Sequence, residues 1–469
     1  MEVLDALRRA GFCAVPSCTP AAFAAHHAAN EPALLPGLAA AWPCAAAWRG
    51  GSASLAASLG GGATPVPVEA APASAYGGGA RASLPLAAFL RGGAGYLKDW
   101  RLPLPLAAAA YRLPPCLCDD ALNPYLDAQP AGGSGAFRFL YAGFPGTRTP
   151  LHHDVLASHS WSCSVQGVKL WLLASPAASA AALYPRGRFQ PLATDTLLPG
   201  EACALLRQAL GGGGAAAPAA AAAAAASLPQ QPLSAALLQA LLACPPSGSP
   251  CSPGAPLRAI LQAPGDALFV PSGWHHEVVN LGPVCVCALA GAPPPAPAAC
   301  ACAPPPALAG DPACALTLSV NHNWLSVCTG PGLTHAWELL SAELAEVRAR
   351  LSDCRGSADY AELCERALAT DAGLGFAELG QVLCRKVGLL LAEAGGAGAA
   401  GSAGGAVAPG QEEAGAALGA ARARAGLRAC ARVLRGISSD APTPGAAAAC
   451  ARAAALAEAA LASPTTTVE

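Results

Sequence analysis

The sequence predicts an α+β chain whose core is a barrel or double-sheet jelly roll of short antiparallel strands, followed by a helical region. Three observations carry this. Residues 135–175 alternate large apolar and polar side chains in short runs broken by glycines. Two further strand-like runs, Ala267–Pro271 and Leu316–Trp324, follow after Gly/Ala/Pro-rich stretches. After Trp324 the apolar period lengthens, with Leu340, Leu344, Val347 and Leu351 spaced as the stripe of an amphipathic helix. Strands first and helices afterwards fit a closed all-β core flanked by helices.

Element by element, residues 1–130 mix short helices with early strands. Asn30–Leu38, followed by Trp42 and Trp48, reads as a strand feeding a helix. Val66-Pro67-Val68 reads as an edge strand, because proline cannot donate to a central ladder. Tyr96–Trp100 is an aromatic-bounded block. Residues 131–328 form the expected core. Phe137–Tyr141 is a strand that turns at Gly143–Gly146, and Leu151–Val155 is a second. Trp161–Val165 and Lys169–Leu173 are separated by Gln166-Gly167, a hairpin-like break. Low-complexity insertions interrupt the core at about 208–257, expected to be disordered or partly helical, and at about 291–312. Order resumes at Leu261, and Glu277–Asn280 is a further strand. Residues 329–440 are the helical region, with helices expected near 358–369, 375–394 and 412–436 and a flexible break at Gly395–Gly410. Residues 441–469 are an Ala-rich tail, expected to be disordered.

Composition narrows the function. The hydrophobic fraction of 54% is inflated by alanine, so the 5% of aromatic residues, clustered around the histidines, carry the information. With 12% charged residues, a net charge of −2 and no basic stripe, nucleic-acid binding has no electrostatic support. No run of 18 apolar residues reads as a membrane span, and Met1–Phe12, carrying Glu2 and Asp5, does not read as a signal peptide. Twenty cysteines is a high count, but the pairs Cys116/Cys118, Cys285/Cys287 and Cys300/Cys302 lack the C-x2-C spacing of zinc sites. Free thiols, some filling small buried spaces, and a reducing compartment are expected, which means the cytoplasm or the nucleus.

The chemistry lies in His152-His153-Asp154 and, far downstream, Gly273-Trp274-His275-His276. Alternate side chains of a strand share a face, so His152 and Asp154 point together and His153 points away. Two imidazoles and one carboxylate on one face of an octahedral ion leave three positions open, the arrangement of non-haem Fe(II) oxygenases. Spacing leaves the third ligand open between His275 and His276. Alone, an H-x-D near tryptophans reads as a hydrogen-bonded core or surface feature. Its company with Thr149-Pro150, Gly167-x-Lys169-x-Trp171 and Pro271–His276 favours a metal site.

These blocks resemble the JmjC (jumonji C) group of 2-oxoglutarate oxygenases. Thr149–Asp154 matches T-P-x-H-x-D, Gly167–Trp171 matches G-x-K-x-W, and Phe269–Val278 matches V-P-x-G-W-x-H-x-V. Asn280-Leu281 and Ser319–Trp324 match the strands that close that family's core. The resemblance covers roughly residues 25–390 outside the insertions. It implies a double-stranded β-helix of cupin-like type, and it assigns the third ligand to His276. It also implies Fe(II) as metal, with 2-oxoglutarate and O2 as co-substrates. Lys169 and Thr149 would hold the far carboxylate of 2-oxoglutarate, with Tyr141, Ser162, Asn321 and Asn323 as further pocket candidates. Trp161, Trp171 and Trp274 would wall the site. The implied reaction is oxidative decarboxylation of 2-oxoglutarate coupled to hydroxylation of an unactivated C–H bond.

Within the group, Tyr96–Trp100, Phe137-Arg138-Phe139, Tyr141-Ala142-Gly143, Ser160-Trp161-Ser162 and Asn321–Trp324 resemble the lysyl hydroxylases that modify a translation termination (release) factor. That implies a protein substrate, with Asp99, Glu277 and Tyr96 available near the mouth for its lysine. The alternatives are a methyl-lysine demethylase and a non-catalytic cupin-like binding scaffold.

Overall fold

Thirteen strands are found among the described residues of the computed structural model, which describes residues 2–69, 81–129, 136–184, 192–211, 224–243, 254–284, 308, 310–395, 409–440 and 444–462. They are β1 (Cys13–Ala14), β2 (Ala33–Leu35), β3 (Pro65–Glu69), β4 (Arg81–Pro85), β5 (Tyr96–Arg101), β6 (Arg138–Gly143), β7 (Arg148–His152), β8 (His159–Gln166), β9 (Val168–Ala174), β10 (Leu257–Gln262), β11 (Ala267–Val270), β12 (His275–Gly282) and β13 (Thr317–Trp324). One sheet has the order β1-β10-β9-β12-β7 and the other β2-β11-β8-β13-β6-β5-β3-β4. The core pairings, β7–β12, β12–β9, β9–β10, β11–β8, β8–β13 and β13–β6, are all antiparallel. From β6 to β13 the chain passes repeatedly from one sheet to the other, the double-sheet jelly roll expected of a cupin-like core.

The break at Gln166-Gly167 is not a hairpin. β8 and β9 lie in different sheets and do not pair, so the chain crosses the barrel edge here. Gly167 makes the crossing with φ +70°, and a Cβ there would sit 2.8 Å from the Leu316 carbonyl oxygen. β3 is likewise not an edge strand, since β5 and β4 flank it. Its register with β5 involves only Val68 and Glu69, so Pro67 has a cross-strand partner in β4 alone.

Alternation sorts the side chains. Trp161, Cys163 and Val165 of β8 and Leu318, Val320 and Trp324 of β13 pack outward against the N-terminal elements with Phe23, Trp42 and Trp48. Val168, Leu170 and Leu172 of β9 pack outward on the other side with Leu198, Leu206 and Leu241. The interleaved residues, Ser160, Ser162 and Ser164, Ser319, Asn321 and Asn323, and Lys169, take the opposite faces and include a polar, hydrogen-bonded set. A small barrel that turns polar groups inward is built to hold a ligand, because a purely structural interior would be apolar.

Helices complete the molecule. Helix Gly332–Arg350 buries Leu340, Leu344 and Val347, as the apolar period requires. Helices Tyr360–Ala372, Phe376–Gly395 and Pro409–Asp440 pack on it in one apolar cluster. The tail corrects the expectation of disorder: Pro444–Ala462 is a helix, and Cys450, Ala454 and Ala457 are buried in that cluster. The first insertion contributes helix Ala235–Leu242, capped by the Ser234 side chain. Nearly all of the second insertion, with the cysteine pairs 285/287 and 300/302, lies outside the described residues, as does most of the 395–410 break. The fourteen described cysteines are free thiols. No helix among the described residues is long and apolar enough to cross a membrane.

Candidate metal centre

β7 and β12 pair antiparallel, and their register sets His152 directly opposite His276. The two imidazole centroids are 4.3 Å apart. β7 ends at His152, so Asp154 lies beyond the strand rather than in it, but its backbone stays extended (φ −69°, ψ 154°) and the alternation continues. One donor atom each from His152, Asp154 and His276 falls within 4.8 Å of the others. His153 turns away, and its ring meets that of His275 at 5.1 Å. His275 in turn bonds the Tyr184 hydroxyl at 2.5 Å.

The donor set fits a divalent metal. A carbonyl can only accept, so His152 Nδ1 donates to Pro150 O (2.8 Å) and His276 Nδ1 to Trp274 O (3.3 Å). Each Nε2 is then the nitrogen with a free lone pair, the tautomer that a metal requires. Asp154 Oδ2 is buried without a hydrogen-bond partner and lies 4.0 Å from His276 Nε2. Burial, then the neighbouring His276, pushes His152 down to about 3, keeping it neutral. Burial raises Asp154, but His276 and His152, with hydrogen bonds from Ser160 and Asn323, outweigh it and leave the carboxylate below its ordinary range. A neutral imidazole beside a buried, unsatisfied carboxylate oxygen is a set of donors lacking an acceptor.

The residues just after Asp154 are unusual. Leu156 (φ 58°) and Ala157 (φ 46°) are consecutive non-glycine residues in the left-handed region, at about 1–2 kcal/mol each. Leu156 is nevertheless buried among Leu333, Ala336 and Leu340.

Deeper in the barrel, Lys169 is 1% exposed. Its Nζ donates to Ser319 Oγ (2.6 Å) and lies 5.6 Å from the ring centres of both Tyr141 and Trp171. Among the described residues no carboxylate pairs with it. Burial pushes it down to about 7. Ser319 Oγ and Ser162 Oγ both donate to Asn321 Oδ1, at 2.8 and 3.1 Å, so Ser162 and Asn321 join Lys169 in one network. Thr149 stands on β7, separated from β9 by β12, and shares its hydroxyl with Tyr96 at 3.4 Å. Tyr141 turns its ring to Lys169 and donates its hydroxyl to Asp99 (2.7 Å). Asn323 belongs to the metal end, bonding Ser158 and the Asp154 carboxylate.

Two expectations change, and one holds. Trp161 does not wall the site; it stacks on His322 (4.2 Å) in the outer core, because odd residues of β8 face outward. Trp171 does flank His276, at 5.7 Å, and shares an apolar cluster with Trp274. Glu277 is fully buried, held by Arg148, Thr196 and the Leu197 N–H, and so cannot meet a substrate lysine. Sequence reasoning missed Ser160, Ser319, Tyr96 as a pocket residue, and Asn280, which bonds Tyr96 and Thr147. The serines had a signal in the alternation Ser160-Trp161-Ser162-Cys163-Ser164, where small polar residues mark the inward face.

A family model described as a cupin-like domain matches residues 117–290. The 2-oxoglutarate and iron-dependent oxygenase JMJD4 of Danio rerio is 26% identical over 335 residues, 68% of this chain and 60% of that protein. The Homo sapiens protein of the same name is 29% identical over 311 residues, 65% of this chain and 55% of that protein. An arginine-specific demethylase of Arabidopsis thaliana, JMJ20, is 26% identical over 293 residues, 60% of this chain and 46% of that protein. The chain thus spans between about half and 60% of the length of these relatives. Jelly-roll topology and the family model show a cupin-like domain, its His/Asp/His donor set fits the metal centre of JmjC-type Fe(II)/2-oxoglutarate oxygenases, and the chain is similar at low identity to the JMJD4 proteins of several animals.

Proposed function

We propose that the protein is an Fe(II)- and 2-oxoglutarate-dependent hydroxylase acting on a lysine of a translation termination factor. The observation that carries the oxygenase reading is a three-donor metal centre sharing a barrel with an unpaired, buried Lys169. His152, Asp154 and His276 would hold the metal, whose bound state supplies O2 activation and a binding point for 2-oxoglutarate. Lys169, with Ser319 behind it, supplies the cation for a dicarboxylate's far end. Thr149 of β7 and Tyr96 of β5 supply hydroxyls that meet at 3.4 Å from the two facing sheets.

The protein substrate, like the target, rests on resemblance; a cleft of about 460 Å³ lined by His153, Tyr184, His275, His335 and Glu338 lies on the side that His153 and His275 face, away from the metal ligands. The release-factor target rests on the resemblance of Tyr96–Trp100 and Asn321–Trp324 to that branch of lysyl hydroxylases. Incubation of the purified chain with Fe(II), 2-oxoglutarate and the N-terminal domain of a release factor tests it by mass. Gain of one oxygen on a lysine supports the proposal. Similarity to the plant demethylase motivates a second arm with methylated peptides, in which methyl loss would favour demethylation. Binding of the release factor without 2-oxoglutarate turnover would favour a scaffold.

A further inference from the structure

At the metal centre one ligand segment runs off the end of β7 and the other enters β12, and both turns need anchoring. Asp154 lies beyond β7 and is followed at once by the left-handed pair Leu156 and Ala157. Such a turn persists only where its surroundings over-determine it. Here the surroundings come from helix Gly332–Arg350 and from the turn before β12. Leu156 is 1% exposed and seats among apolar residues of that helix. The Ala157 carbonyl accepts from Ser272 Oγ.

Ser272 is itself fully buried and four residues before His276. Its N–H donates to His159 Nδ1 (2.9 Å), and its carbonyl accepts from Asn30 Nδ2 (2.9 Å). Its hydroxyl has one hydrogen, already given to Ala157, so at 2.9 Å from His335 Nδ1 it accepts. His335 lies on helix Gly332–Arg350, the element that also grips Leu156. One hydroxyl therefore ties the turn after Asp154, the turn before His276 and the C-terminal helices together.

We propose that Ser272, Leu156 and His335 are positioning residues forming a clamp through which the C-terminal helical region fixes Asp154 relative to His276. The clamp rests on His152, Asp154 and His276 being metal ligands. It assigns a role in metal affinity to helices that supply none of the three ligands.

Co(II) titration of the metal-free full chain, followed by visible absorption, tests it without 2-oxoglutarate or a protein substrate. Ser272→Ala and His335→Ala should weaken Co(II) binding by several-fold up to about 10-fold, less than the loss of a group bonded directly to a ligand, and alter the Co(II) spectrum. His335→Asn, which keeps an N–H donor, should recover most of the affinity. Should Ser272→Ala fail to fold, His335→Ala decides, since it leaves the serine–Ala157 bond intact. Unchanged Co(II) affinity and spectrum in His335→Ala, with only a lower metal-free melting temperature, would overturn the clamp alone. Absence of Co(II) binding by the unaltered chain would overturn the metal assignment and the clamp with it.

Discussion

Asp154 Oδ2 and His276 Nε2 face each other across 4.0 Å, too far to hydrogen-bond, and the oxygen has no other partner. Evolving a buried carboxylate oxygen without a donor costs about 1–3 kcal/mol unless an ion completes it. Asp154→Ala and His276→Ala should each lower Fe(II) or Co(II) affinity by at least about 100-fold, since each removes one of three protein ligands. His275→Ala should leave affinity within a few-fold, because that ring faces His153 and Tyr184. Isothermal titration of the four proteins decides. Loss of binding in His275→Ala with retention in His276→Ala would invert the ligand assignment.

Lys169 predicts a pH dependence. Burial holds it near 7 in the folded protein, against an ordinary value of 10.5. Between those values the unfolded chain carries the proton and the folded one does not. This lysine's contribution to stability therefore falls as pH drops from 10.5 toward 7. A bound dicarboxylate reverses the preference by pairing with the ammonium. At about pH 8, 2-oxoglutarate binding should thus take up close to one proton, and its Kd should rise by up to about tenfold per pH unit above 7. Calorimetry in two buffers of different ionisation enthalpy measures the uptake. No uptake at pH 8, or undiminished binding in Lys169→Met, would remove Lys169 as the anchor.

The sequence made the metal centre legible because its two blocks are local: His152 and Asp154 are two residues apart, and period-2 geometry puts them together even though the strand stops at His152. The choice of His276 over His275 needed the family resemblance. Only the β7–β12 register shows the physical reason. The polar interior was half legible, since Ser160-x-Ser162-x-Ser164 alternates plainly, but its partner Ser319 lies about 150 residues away and only β8–β13 pairing unites them. The sheet crossing at Gly167 was illegible, because a hairpin turn and a barrel edge ask for the same glycine.

Glu277, next to a metal ligand, has a structural role. Its carboxylate accepts from Arg148 (3.2 Å), Thr196 (2.8 Å) and the Leu197 N–H (2.7 Å), with no exposure. Glu277→Ala strands Arg148 partly and leaves two further donors unsatisfied. Thermal or urea unfolding should show a loss of about 3–5 kcal/mol. Metal affinity measured well below the melting temperature should change little. A variant of wild-type stability whose only defect is substrate KM would restore Glu277 to the substrate site.

Helix Pro444–Ala462 makes the last prediction. Its alanine content gives little amphipathic signal, so composition alone suggests a tail. Yet Ala454 and Ala457 are fully buried, and Cys450 nearly so, in the cluster holding Leu434 and Ile437. Small residues let two helices approach closely, so an alanine face can be a packing face with weak hydrophobicity. Truncation after Asp440 uncovers several methyl-sized groups and the helix beneath them. At roughly 0.8 kcal/mol per buried carbon, the loss should be about 2–4 kcal/mol. Dye binding to newly exposed apolar surface and faster proteolysis within Pro409–Asp440 should accompany it. The single change Ala454→Asp should reproduce most of the effect, because it buries a charge without a partner. If truncation left melting and proteolysis unchanged, this helix would contribute nothing to the bundle, and the alanine face would be solvent-facing in solution.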